Sequence, residues 1–203
     1  MRIHDLSYKR RLSVLAITAV FAAQRASAHN IAGTAIGFVS GFRHPISGLD
    51  HILAMVAVGI WGAQLGRPAV WTLPVAFPLV MSIGGVLGVR GVPLPGVEIG
   101  VAASAFALGV MIALAARPPI WAAAALVGLF AIFHGHAHGT ELPHAAQPLA
   151  YGAGFVLATG LLHVTGIGIG LLQQWRHGER VLRLAGIGIA ITGSYLLMGL
   201  VRE

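Results

Sequence analysis

The chain has 203 residues, of which 57% are hydrophobic and only 9% charged; globular domains carry about 25% charged residues. A soluble core of this size cannot hide so much apolar surface, so a water-soluble globular enzyme is excluded. The net charge of +7 is concentrated at the start, where five of the thirteen basic residues lie in the first 25 positions, and no basic stripe remains to suggest nucleic acid. With no cysteine there is no disulfide, iron–sulfur cluster or thiolate metal site, which leaves imidazole, carboxylate and thioether as ligands.

Residues 1–28 read as a cleavable secretory signal. A basic start (Arg2, Lys9, Arg10, Arg11) precedes an apolar run from Leu12 to Ala23 and then Ala26-Ser27-Ala28. Cleavage after Ala28 makes His29 the new N-terminus, with its α-amine beside an imidazole; an uncleaved signal anchor is the alternative. Residues 29–203 then form a single helical membrane domain.

Ile31–Phe42 is apolar but short for a span of about 20 residues. Gly33, Gly37 and Gly41 recur every four residues, a spacing that lets helices approach closely. The expectation is a short, non-spanning helix ended by Arg43-His44-Pro45, because a residue before proline is pushed toward extended geometry. About six spans follow, at 49–65, 69–89, 97–116, 119–138, 147–172 and 181–201, with kinks expected at Pro74 and Pro78. The class is an all-α polytopic membrane protein. Trp61, Trp71, Trp121 and Trp175 fall near span ends, as interfacial tryptophans do.

An outside start puts Arg67, Arg117, Arg176, Arg180 and Arg183 in the cytoplasm and Arg43, Arg90 and Arg202 outside, in the sense of the positive-inside rule. The same count puts His44, Asp50, His51, Glu98 and the stretch His134–Glu141 on the outer side, facing the periplasm of a bacterial cytoplasmic membrane. That convergence suggests one shared cation site.

The centre of the reading is Phe133-His-Gly-His-Ala-His-Gly-Thr-Glu141, at the end of a long apolar run. On a helix, His134, His138 and Glu141 fall at i, i+4 and i+7 on one face. Ionisable groups at membrane depth are costly and mark function by default. Imidazole with carboxylate suits Ni(II), Co(II), Zn(II) or Cu(II). Gly135 and Gly139 offer local flexibility or close packing. The second cluster is His44-Pro-Ile-Ser-Gly-Leu-Asp50-His51. Adjacent residues point about 100° apart on a helix, so Asp50 and His51 reach one ion only if the helix begins there. Otherwise Asp50 is an N-cap or orients His51. His44 reads as a ligand or a gate. Glu98 is either an interfacial acid or a carboxylate that draws a dication to the mouth. His163, deep in the fifth span, is either a bond between helices or a relay inward. His144 and His177 read as loop residues.

Across these motifs the sequence resembles the HupE/UreJ family of bacterial membrane proteins. The stretches that carry the resemblance are His44–His51 continuing to Gly59-Ile-Trp61, Val92-Pro-Leu-Pro-Gly-Val-Glu98, and Phe133–Glu141. The first matches the family's His-x5-Asp-His pattern and the last its Phe-His-Gly-x-Ala-His-Gly-x-Glu pattern. The resemblance implies a secondary nickel or cobalt permease that supplies hydrogenase or urease maturation. Its implied functional set is His44, Asp50, His51, Glu98, His134, His138 and Glu141. His136 occupies a position the pattern leaves free, and the histidine-rich mature N-terminus frequent in the family is reduced here to His29.

Other readings are a zinc-dependent intramembrane hydrolase, with Ser47 and Asp50 near the metal, and a metal-sensing or storage subunit of a larger complex. No Walker motif or nucleotide-binding βαβ unit is present, so ATP coupling would need another subunit. The expected partners are the lipid bilayer and a divalent metal, with no nucleic acid and no nucleotide; a homo-oligomer is compatible with all three readings.

Overall fold

A computed structural model describes residues 36–142 and 147–202 of the chain. The signal segment, His29 and His144 lie outside the described residues, so cleavage after Ala28 is not addressed. Every described element is helical. The helices are α1 (Ile36–Ser47), α2 (Leu49–Leu65), α3 (Ala69–Val89), α4 (Val97–Ala113), α5 (Ile120–Thr140), α6 (Pro148–Gly170) and α7 (Gly178–Val201), with a short 3-10 turn Leu171–Gln174 after α6.

Four of these, α3, α5, α6 and α7, are long and apolar enough to cross a membrane. The bent pair α1–α2 would make a fifth, and α4, at 17 residues, is a shorter apolar helix. The expected count of six therefore stands here as four to five spans by length and composition. Outward-facing residues such as Leu79, Leu184 and Ile191 are about two-thirds exposed and apolar, as lipid requires on the outside of a bundle.

Two details of the start differ from expectation. The first helix is not stopped at His44-Pro45 but runs on to Ser47. Proline removes the one bond its N–H would make to the Gly41 carbonyl, and the helix carries on for only two residues beyond it. The Ser47 hydroxyl also donates to the Arg43 carbonyl at 2.8 Å. The break falls at Gly48, where the chain turns by 82° into α2. In α3 the helix continues through both Pro74 and Pro78.

Three helix pairs build the bundle: α3 with α5, α4 with α7, and α2 with α6. Small residues set each seam. A Cβ on Gly135 or Gly139 would overlap the backbone of Met81 and Gly85 in α3, and one on Gly59 or Gly166 would overlap the facing helix of the α2–α6 pair. Contacts advance in the same direction along both helices in α3–α5 and α2–α6, which run parallel, and oppositely in α4–α7. The start of α2, α4 and α6 and the end of α3, α5 and α7 thus share one end of the bundle. The core between them includes Met55, Trp61, Leu73, Phe77, Leu108 and Leu182. Trp61 departs from the interfacial expectation. It is fully buried and its indole N–H donates to the Ala116 carbonyl at 3.0 Å, which ties α2 to the end of the α4 segment. Trp71, Trp121 and Trp175 are exposed.

Candidate metal centre

The bend at Gly48 brings the two halves of the first motif together. His44, near the end of α1, and His51, in the first turn of α2, have ring centroids 6.3 Å apart. A Cβ at residue 48 would crowd both Asp50 Oδ1 and His51 Nδ1, so a larger residue there would have to displace the very groups the turn positions. The helix does begin at Leu49, but Asp50 is turned onto its neighbour. Its Oδ1 accepts the backbone N–H of His51 at 2.9 Å and faces His51 Nδ1 at 2.8 Å. A carboxylate at neutral pH has no proton to give, so Nδ1 donates and Nε2 keeps its lone pair. That Nε2 is buried and has no hydrogen-bond partner among the described residues.

On α5 the motif divides its residues between faces. Gly135 and Gly139 lie against α3, while His134 and His138 turn to the interior. His134 is fully buried, with Nε2 2.9 Å from Ser104 Oγ of α4. Ser104 Oγ also donates its one hydrogen to the Val101 carbonyl at 2.5 Å. It must therefore accept from His134 Nε2–H, which leaves Nδ1 of His134 with a free lone pair and no partner. His138 is 5% exposed and neither of its ring nitrogens is bonded among the described residues.

These groups converge as two overlapping triads among the described residues. Ligand atoms of His51, His134 and His138 all lie within 4.8 Å of one another, and so do those of His44, His138 and Glu141. His138 belongs to both. Its ring centroid is 4.6 Å from those of His44 and His51, and His51 is 4.9 Å from His134. Nε2 of His44 lies 3.1 Å from Glu141 Oε2. Exposure falls along the series, from 59% for the Glu141 side chain through 31% for His44 and 12% for His51 to none for His134.

The other expected residues are placed apart from these triads. Glu98 is exposed in the first turn of α4. His136 faces Val92, whose carbonyl accepts from its Nε2 at 2.7 Å, so it anchors the α3–α4 connection. His177 is exposed before α7. His163 is buried deeper in the bundle. The ring of Phe77 touches both it and the cluster, with centroids 5.4 Å from His163 and 5.5 Å from His134. A cavity of about 630 Å³ between α3, α5 and α6 reaches His138 from the side and is lined mostly by apolar residues, with Arg90 among them.

Ser104, Phe77, Tyr151 and Phe155 were not singled out from the sequence. Tyr151 and Phe155 wall the cluster, with Phe155 4.2 Å from the His138 ring and Tyr151 6.2 Å from that of His44. A serine and aromatics in apolar helices carry no signal of their own; only pairing across some 30 residues of sequence gives Ser104 its role.

An apolar helical bundle with unpaired imidazoles gathered at one end defines a multi-pass membrane protein with a candidate cation site. The chain belongs to the HupE/UreJ family, whose profile, described as HupE / UreJ protein, matches residues 16–196. It is 49% identical over 163 residues to the protein HupE of Rhizobium leguminosarum bv. viciae, an alignment covering 80% of this chain and 85% of that one. No solved structure matches the chain.

Proposed function

We propose that this protein is a secondary permease that carries Ni(II) or Co(II) inward across the bacterial cytoplasmic membrane for metalloenzyme maturation. The observation that carries the reading is the pair of triads sharing His138, graded from exposed to buried. A resident structural metal would favour one closed set, whereas overlapping sets let an ion change partners one at a time. In this reading Glu98 draws the cation to the mouth, and Glu141 with His44 receives it. His51 and His134 take it deeper, with Asp50 orienting His51. His163 relays it further. Neutral imidazoles with one carboxylate suit a borderline first-row dication better than Mg(II) or Ca(II).

The cluster end faces the periplasm in this proposal, which leaves Arg67, Arg117, Arg176, Arg180 and Arg183 at the cytoplasmic end. Residues 1–28 are removed after Ala28, which intact mass of the purified protein decides. The hydrolase alternative receives less support: Ser47 is exposed and its hydroxyl is committed to the Arg43 carbonyl.

The test is uptake of radiolabelled nickel or cobalt by cells with and without the chain, beside its membrane abundance. His138→Ala should abolish uptake at metal levels near the apparent affinity. Normal uptake at normal abundance would refute the role of the shared histidine and the transport route built on it.

A further inference from the structure

The buried face of α6 continues inward from the histidine cluster in a strict four-residue step: Tyr151, Phe155, Thr159 and His163, each 5% exposed or less. Successive members lie about 6 Å apart along the axis. Phe155 packs on His138, so Thr159 is the next group beyond the cluster and His163 the one after.

Thr159 is unlike every other serine and threonine among the described residues. Each of the others donates its hydroxyl to a carbonyl three or four residues back in its own helix, as Thr165 does to Leu161 at 2.8 Å and Thr192 to Gly188 at 3.0 Å. That back-bond is the usual resting place for a helical hydroxyl in an apolar setting. Thr159 Oγ1 is fully buried and has no hydrogen-bond partner among the described residues. One turn on, both ring nitrogens of His163 are also buried and unbonded.

A third group lies beside them. Pro78 has no N–H, so the carbonyl of Pro74, four residues earlier in α3, lacks its helix partner. That carbonyl interacts with the His163 ring, though outside hydrogen-bonding geometry. Two helices thus supply a buried, unbonded hydroxyl and imidazole one turn apart on α6 and, at the imidazole, a proline-freed carbonyl of α3. Buried polar groups are ordinarily paired, and several unpaired together call for a ligand.

We propose that Thr159 Oγ1 and the His163 imidazole form a second, inner station for a partly hydrated divalent cation, with the Pro74 carbonyl steadying the His163 ring. The proposal rests on the transport reading for its purpose but not for its existence. One nitrogen and one hydroxyl oxygen make a weak donor set for a first-row dication, completed by water, as release toward the opposite side requires. The hydroxyl is the new element: its i, i+4 placement relative to His163 gives both donors one direction.

The test uses the full-length protein in detergent with Co(II) as probe, and uptake in cells. Equilibrium binding should show one tight and one weaker event. Thr159→Val, which removes the hydroxyl at nearly constant volume, should lose the weaker event. It should also slow maximal uptake by about tenfold, the scale on which groups around a metal act, with apparent KM unchanged. Thr159→Ser should restore both, and His138→Ala should remove the tight event while the weaker one persists. If Thr159→Val keeps both events and the wild-type maximal rate, the station is refuted. If Thr159→Ser fails to restore the event that valine removes, the hydroxyl is not the donor and the proposal falls. If the wild-type chain takes up no metal yet its weaker event vanishes in Thr159→Val, the station stands and the transport reading fails.

Discussion

Oε2 of Glu141 lies 3.1 Å from Nε2 of His44, and this contact joins the end of α5 to the end of α1. It is also the most exposed link of the cluster, with the carboxylate side chain 59% accessible. A contact so open to water adds little to stability, since even a charged pair at the surface contributes only about 0–1 kcal/mol. Glu141→Gln should therefore leave folding intact and act on metal capture. The expected result is a rise in apparent KM for nickel or cobalt of about tenfold with maximal rate retained, the pattern of lost binding without lost passage. Uptake measured across a range of external metal decides it; an unchanged KM would place Glu141 outside the path.

Asp50 acts through His51 in this arrangement. Asp50→Asn keeps the shape, but an amide can rotate to offer N–H₂ as well as oxygen, so His51 is no longer held with its lone pair on Nε2. Groups that orient a ligand typically contribute about 10–100-fold in metal affinity. Binding of Co(II) to the purified variant should weaken within that range, while abundance stays near wild type. Equal affinity in the two proteins would sink the orienting role.

Ser104→Ala removes the acceptor of His134 Nε2–H. The imidazole is fully buried, so an N–H left unpaired costs about 1–3 kcal/mol, unless the ring changes tautomer. Either outcome is readable: a lower melting temperature, weaker metal binding, or both. Ser104→Thr keeps the hydroxyl and should lie closer to wild type. If Ser104→Ala matches wild type in melting and in binding, the hydrogen bond has no role.

A glycine at a helix seam and one on an open face make different demands. At Gly135 a methyl group would meet the Met81 carbonyl in α3, whereas at Gly152 in α6 nothing lies within 4 Å. Backbone cannot yield as a flexible side chain does, so Gly135→Ala should push α3 from α5 and destabilise by about 1–3 kcal/mol. Gly152→Ala should be neutral or slightly stabilising, as alanine is the better helix former. Membrane abundance and thermal aggregation of the two variants, compared side by side, are the measurement; equal behaviour would mean that the seam is looser than its geometry.

Much of this was legible in the sequence because the signals were local. The i, i+4, i+7 spacing of His134, His138 and Glu141 placed them on one face, and the structure keeps them there. The helix start at Asp50-His51 was readable from Pro45 and Gly48, though the choice between ligand and orienting group was not. That choice depends on one rotamer of Asp50. The break at Gly48 rather than at Pro45 was missed because proline only biases the residue before it away from the helix and does not force the end there. Trp61 followed a composition rule for interfaces, yet its position in the α2 core overrode it. Ser104, Phe77 and Thr159 were illegible for a different reason. Their meaning lies in contacts, or missing contacts, between helices far apart in the chain.

The sharing of His138 between the two triads has a consequence for how ions compete. A single imidazole presents only one lone pair when neutral, so both triads cannot be complete together. In the proposed permease the cluster is therefore a turnstile with room for one passenger. A foreign dication that settles at either triad excludes the proper cargo from both, however empty the neighbouring ligands remain. Inhibition by a tighter-binding metal should accordingly be overcome only by outcompeting it at the mouth, and selectivity would be decided by how quickly each ion leaves His138 rather than by how strongly it arrives.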